Sequence, residues 1–311
     1  MRYLKIKQKI IGILILVSSY AYIVYRLSNI NINLSLVNIN ATKGFYILIF
    51  IILAFLNILT ESVKWKILLS GIINVKLPDC IRMVFAGFSS GIFTPAKIGE
   101  PYGRIIPLPR KLWSKGTALN YFGGFLQNIV IFLTGSIFTY FAVNNNNFQY
   151  AILLKYTIVL LVVSVTIFYL LFVFRVRIST YISQYRILNS VTKSFGELRY
   201  IKPKKYINLF VLSLTRYFTY CTQLILLLYI CSDSQFTIST LIIVPIYFMC
   251  ITVIPSFLLA DLGVRNSVAL FLFSINFPNE TSIILAVSML WITNQVIPAI
   301  IGSYFIIKKD Q

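Results

Sequence analysis

The chain has 311 residues, 58% of them hydrophobic and only 12% charged, with a mean hydropathy of +0.84. An ordinary soluble domain carries about 25% charged residues, so this composition speaks against a water-soluble fold. The formal net charge of +20 would suit a nucleic-acid binder, but the basic residues lie between apolar runs, which assigns them to membrane orientation and anionic headgroups and leaves no expectation of a nucleic-acid partner.

Taken in order, the apolar runs predict helical crossings near 10–26, 44–62, 117–141, 150–174, 206–231 and 281–307. Each is long enough, at 1.5 Å per residue, to cross a hydrocarbon core about 30 Å thick. A barrel would instead show short segments alternating apolar and polar. The first run follows a basic stretch, as a signal peptide does, but bulky Tyr20, Tyr22 and Tyr25 occupy the place of a cleavage site, so it reads as a retained span. Asn144–Asn147 reads as a short outer turn. The polar stretch from Arg175 to Lys205 reads as a cytoplasmic amphipathic connector, with Tyr181, Ile182, Tyr185, Leu188 and Phe195 toward lipid. It separates two halves, about 1–174 and 206–311, of one integral membrane domain.

Two further apolar stretches, 80–109 and 236–276, are interrupted by proline, glycine and charge. The first break is Thr94-Pro95-Ala96-Lys97-Ile98-Gly99-Glu100-Pro101. The second runs from Ile254-Pro255-Ser256 to Asp261-Leu262-Gly263-Val264-Arg265. Interior proline removes a helical hydrogen bond and clashes with the preceding turn, so each stretch is expected to be a broken, re-entrant hairpin hinged at Pro95, Gly99, Pro101, Pro255 and Gly263. With the N-terminus in the cytoplasm, 21 of the 28 basic residues, Lys64 among them, then fall inside. Arg26, Lys43 and Lys155 fall outside, and Lys97, Arg104, Arg216 and Arg265 lie within the membrane. That asymmetry is what the positive-inside rule asks of a correct topology. The expected fold is therefore all-α: a polytopic bundle of six spans plus two re-entrant hairpins in an inverted repeat, with both termini cytoplasmic, in the inner membrane.

Lys97, Glu100, Arg104, Arg216, Asp261 and Arg265 are the candidate substrate-binding residues. A charge at mid-bilayer costs about 2.5–3.5 kcal/mol on insertion scales and needs compensation. Pairing of Glu100 with Arg104 and of Asp261 with Arg265 supplies part of it. Four cations against two acids still leave an excess of two positive charges, which calls for an anion such as a lipid phosphate.

Chemistry on a phosphate or a glycosidic bond would require clustered carboxylates, a metal or a histidine base. The chain has no histidine, and its cysteines, Cys80, Cys221, Cys231 and Cys250, lack C-x-x-C spacing, so neither metal nor cofactor is expected. Only Glu61, Glu100 and Asp261 of the eight acids are placed to face a membrane site, and the chain reads as a non-enzyme. A membrane-embedded transferase and a scaffold for envelope glycan or lipid synthesis are the alternatives. Trp65 and Trp113 read as interfacial anchors, Trp291 as packing unless it faces the cavity, and Gly123-Gly124 as a close helix approach.

Three patches resemble the transmembrane region of lysylphosphatidylglycerol synthases and the wider flippase-like family built from it. Glu61-Ser62-Val63-Lys64-Trp65-Lys66 resembles a basic-Trp-basic segment at the end of the second span. The break from Thr94 to Arg104 resembles a proline, glycine-glutamate, arginine motif, and Pro255 with Gly263-Val264-Arg265 resembles a later Gly-Val-Arg-Glu motif. Asn266 replaces the glutamate of that last motif, and Tyr121–Asn128 lacks the acidic signature the family often carries there. The resemblance implies a membrane domain that moves lipids, such as aminoacylated phosphatidylglycerol or polyprenyl-linked glycans, between leaflets. Membrane lipids, a homo-oligomer or an envelope-biosynthesis partner are the expected partners, and because the sequence stops at Lys308-Lys309-Asp310-Gln311 just after the last span, the soluble aminoacyl-transferase domain of the full-length synthases is not expected.

Overall fold

A computed structural model describes residues 41–92, 94, 97–144, 203–232, 237–254, 258–274, 276–277 and 279–307. The expected spans at 10–26 and 150–174, the outer turn, most of the Arg175–Lys205 connector, and the hinges Pro95 and Pro255 lie outside the described residues.

The described residues are helical and contain no strand. Helix α1 covers Ala41–Leu69, α2 Leu77–Ile92, α3 Glu100–Ile105, α4 Trp113–Asn144 and α5 Pro203–Cys231. Then follow α6 over Ile238–Val253, α7 over Leu258–Phe273, α8 over Glu280–Trp291 and α9 over Ile297–Ile307. Four stretches are long and apolar enough to cross a membrane, Ala41–Leu69, Arg110–Ala142, Lys205–Cys231 and Glu280–Ile306. They coincide with four of the six expected crossings.

The first stretch breaks between Ile92 and Glu100, where proline, glycine and charge collect, and the second breaks between Val253 and Leu258. Asp261, Gly263 and Arg265, expected within that second break, lie instead inside the continuous helix α7, so Gly263 is not a hinge: one glycine and an i,i+4 ion pair are compatible with a helix. Helices α2 and α6 have 16 residues each, so each reaches only about 24 Å at 1.5 Å per residue and falls short of a full crossing. Helix α3 folds back antiparallel along α2. Gly103 lies against Ala86 and Ser90, and a Cβ at Gly87 would stand 2.7 Å from Arg104 Cγ. A side chain at position 103 would overlap the Ala86 carbonyl, which is why the return leg needs glycine there. Helices α6 and α7 pack on one another in the second hairpin, with the rings of Tyr247 and Phe273 5.6 Å apart. Thr237 caps α6 and Asn279 caps α8 by accepting from the backbone N–H of Thr240 and Thr281, respectively.

The last span carries a π-turn at Ile292–Val296. Pro298 has no N–H to donate four residues back, and the helix widens just before it. The extra residue turns both Asn294 and Gln295 toward neighbouring elements.

The bundle is apolar on the outside. On α1, Phe45, Leu48, Ile52, Phe55 and Leu59 form an exposed stripe at helical spacing, while the buried stripe contains Asn57, Glu61 and Lys64. A soluble protein would invert this pattern; here the exposed face is the lipid face. Two apolar clusters flank the buried charges. One gathers Trp65, Leu68, Val84, Leu119, Phe122 and Leu209. The other gathers Tyr217, Leu224, Val244, Tyr247, Phe273 and Ile283. Along α1, Asn57, Glu61 and Lys64 fall between Phe50 of the second cluster and Trp65 of the first.

Two sequence expectations are corrected here. Lys64, placed among the cytoplasmic basic residues, is 2% exposed: α1 runs on to Leu69, and the Lys64 ammonium turns inward to Glu61 and the Gly123 carbonyl. Trp65, read as an interfacial anchor, is fully buried, with its indole N–H directed at the Met83 sulfur. Trp113 is half-buried and donates to the Leu108 carbonyl.

Candidate functional site

The site begins with Glu61. Its carboxylate, 4% exposed, receives three cations from three helices. Arg104 Nη1 lies 2.7 Å from Oε1; Arg216 Nη1 and Lys64 Nζ lie 2.6 Å and 2.8 Å from Oε2. Carboxylate and cations fit together because a buried charge survives only when its remaining hydrogen-bonding capacity is also used. Arg216 spends its Nε on the Asn57 carbonyl oxygen at 2.9 Å. Asn57 in turn donates to Asn294, and Asn294 donates to Gln223 at 3.2 Å. This amide chain ties α1, α5 and the π-turn of the last span together beside the ions.

Helices α1, α2, α4, α5, α6 and α7, the first break and the last span surround a cavity of about 680 Å³. Of the sequence-predicted site residues, Lys97, Glu100, Arg216, Asp261 and Arg265 line it. Arg104 does not. It is 2% exposed and lies behind the wall, paired with Glu61 and Glu100, with its guanidinium carbon 5.6 Å from the centre of the Trp65 ring. Its Nε is buried without a hydrogen-bond partner. The expected Glu100–Arg104 and Asp261–Arg265 pairs are both present, each at i,i+4 spacing.

The first break and helix α7 present different cations to the cavity. Lys97 adopts φ 57°, the left-handed region that a non-glycine residue enters at a cost. Its Nζ donates to the neutral Gln295 Oε1 at 2.8 Å, and no carboxylate pairs with it among the described residues. Arg265 meets Asp261 through Nε at 2.9 Å, so that contact does not use the two Nη groups. Trp291 faces the cavity and fixes the same Asp261 oxygen with its indole N–H at 3.0 Å.

The sequence places Glu61 among the acids facing a membrane site without naming it as a binding residue, leaves Trp291 as packing unless it faces the cavity, which it does, and passes over Lys64, Asn57, Asn294 and Gln295. The signal for Asn57, Glu61 and Lys64 was present: they recur at i, i+4 and i+7 along an otherwise apolar span. With Glu61 and Lys64 included, five cations meet three carboxylates, and the excess of two positive charges is unchanged. Gly123 stands in close approach as expected, since a Cβ there would come 2.9 Å from the Leu68 side chain. Gly124 instead faces the open cavity. Asn266, at the position of the missing glutamate, donates to Ser288.

Neither a curated protein nor a solved structure matches the chain. The sequence model of the lysylphosphatidylglycerol synthase TM region matches residues 9–302. This multi-pass membrane protein, with its buried ion cluster beside two broken hairpins, belongs to that family.

Proposed function

We propose that the chain binds the phosphate-bearing headgroup of an anionic lipid between its two broken hairpins and carries it between the leaflets of the inner membrane. The observation that supports this reading is the pair Lys97 and Arg265. Lys97 comes from the first break and Arg265 from α7, the return leg of the second hairpin; both line the cavity, and neither has its charge fully consumed by a carboxylate. A phosphate placed between them would take charge-assisted contacts from both sides, while the acyl chains stayed in the surrounding lipid. In this reading the hairpins are halves of an inverted repeat, the first opening to the cytoplasm and the second to the outside, within six spans and with both termini cytoplasmic. Rocking of one half against the other would alternate access to the site. Transport is favoured over transfer chemistry because Glu61, Glu100 and Asp261 are each engaged in an ion pair, so none of these three carboxylates is poised as a general base.

The test is a leaflet-exchange assay on the full chain in vesicles, run with labelled phosphatidylglycerol and with a polyprenyl phosphate. Lys97→Ala combined with Arg265→Ala removes two charged contacts of about 1.5 kcal/mol or more each, so exchange should fall by roughly a hundredfold. Exchange equal to wild type in that double variant overturns the reading.

A further inference from the structure

The ionic residues occupy only part of the cavity wall. Along α4, Asn120, Gly124, Gln127 and Asn128 recur at i, i+4, i+7 and i+8, so they share one helical face, and all four line the cavity. The helix contains no carboxylate, and its single charged residue, Lys115, is not on the lining. The side-chain amides of Asn120 and Asn128 make no hydrogen bond to any described residue. Gln127 donates to the Ser213 carbonyl at 3.2 Å, and its Oε1 is buried with no partner. Gly124 has nothing within 4 Å of where a Cβ would stand, so the space before the amides is open. Two amides without a partner, at Asn120 and Asn128, are costly in a membrane protein unless something satisfies them.

The chemistry of that wall limits what can satisfy it. An amide both donates and accepts, which suits a hydroxyl in either orientation. An ammonium group needs more, because its charge must be matched when it leaves water. Among the described residues no carboxylate on the cavity is available to match it. Glu61 already holds three cations, Glu100 is paired with Arg104, and Asp261 is shared by Arg265 and Trp291. The cluster as a whole carries two surplus positive charges, which repel a further one.

The geometry points to a cavity that accepts a lipid phosphate with a neutral, hydroxyl-bearing substituent, a phosphoglycerol or phosphosugar headgroup, and refuses a headgroup that carries an ammonium group. Lys97 and Arg265 take the phosphate, and Asn120 and Asn128 take the hydroxyls. This inference rests on the proposed headgroup site and specifies what that site selects. It separates the chain from the aminoacylated lipid in its family's name.

The experiment is native mass spectrometry of the full chain, solubilised gently and offered equal amounts of four lipids: phosphatidylglycerol, a polyprenyl phosphohexose, phosphatidylmethanol and lysylphosphatidylglycerol. Phosphatidylmethanol has the charge of phosphatidylglycerol without its hydroxyls. One or both hydroxylated, ammonium-free lipids should be retained about tenfold over lysylphosphatidylglycerol and severalfold over phosphatidylmethanol. Which of the two is retained identifies the source of the headgroup. Asn128→Asp, and separately Asn120→Asp, should narrow the gap to the lysylated lipid by supplying the missing carboxylate. Retention of lysylphosphatidylglycerol equal to that of the hydroxylated lipids overturns the inference, as does equal retention of phosphatidylmethanol. A gap unchanged in both variants, with either still holding phosphatidylglycerol, overturns the role of the amides. Retention of none of the four lipids refutes the headgroup site itself. If neither variant folds, the wild-type comparison alone decides.

Discussion

Replacing Glu61 with glutamine removes one negative charge at the point where three cations converge. The Arg104, Arg216 and Lys64 nitrogens stand 2.6–2.8 Å from its oxygens. At about 3 Å and an effective dielectric constant of about 20, each contact is worth roughly 5 kcal/mol of Coulomb energy before desolvation. Desolvation cancels much of that in the intact cluster, but breaking a buried pair leaves its partner charges unmatched, at a cost of about 3–5 kcal/mol. Glu61→Gln should therefore lower the thermal unfolding midpoint sharply, and Glu61→Gln with Lys64→Met should recover part of the loss, because it removes one of the stranded cations. Unfolding of purified protein followed by tryptophan fluorescence is a suitable assay, since Trp65 lies under the Arg104 guanidinium and reports on the cluster directly. A double variant no more stable than Glu61→Gln alone would refute the keystone role, because a purely steric defect gains nothing from losing a charge.

Other consequences are separable from that one. Trp291→Phe keeps the ring but removes the N–H that fixes Asp261 at 3.0 Å, so about 1 kcal/mol of orientation is lost and headgroup affinity, measured by lipid titration, should weaken severalfold with little change in stability. Gly302→Ala places a Cβ onto the Phe85 carbonyl where α9 crosses α2, and overpacking of about 1–3 kcal/mol should appear as a lower unfolding midpoint. Lys97→Gly and Lys97→Ala should slow lipid exchange equally, since both remove the ammonium. Glycine should be the more stable by about 1 kcal/mol because the backbone there sits at φ 57°.

The first break was legible because Pro95, Gly99 and Pro101 with their charges cluster in the eight residues from Thr94 to Pro101, and the second only at Pro255, since Asp261, Gly263 and Arg265 continue helix α7. The i,i+4 pairs were legible for a similar reason: Glu100 with Arg104 and Asp261 with Arg265 follow from helical spacing alone. Lys64 was misplaced because a one-dimensional reading takes the end of an apolar run as the membrane surface. Only the packing of α4 on α1, where Lys64 reaches the Gly123 carbonyl, shows that the run's polar tail is interior. Convergence on Glu61 joins residues 43 and 155 positions apart, a relation that no local pattern encodes. The amides escaped notice for another reason, since a search for intramembrane charge passes over neutral asparagine and glutamine.

The buried cations fall into two groups, and the division bears on how the site would work. Lys64, Arg104 and Arg216 surround a carboxylate on α1, and the amide chain from Asn57 to Gln223 braces them against α5 and the last span. Releasing any of them strands a charge, so this group suits a fixed pivot. Lys97 belongs to the second group. Its partner is a neutral amide on the π-turn, and exchanging that amide for a phosphate improves the match of charge where exchanging a carboxylate would not. Arg265 stands between the groups, held through one nitrogen. A carrier needs both kinds of contact: a cation that a ligand can capture on the element that moves, and ions that no ligand can capture on the element that stays. In this chain the capturable cation, Lys97, lies at the first break, and the fixed ions are gathered around Glu61 on the long α1 helix.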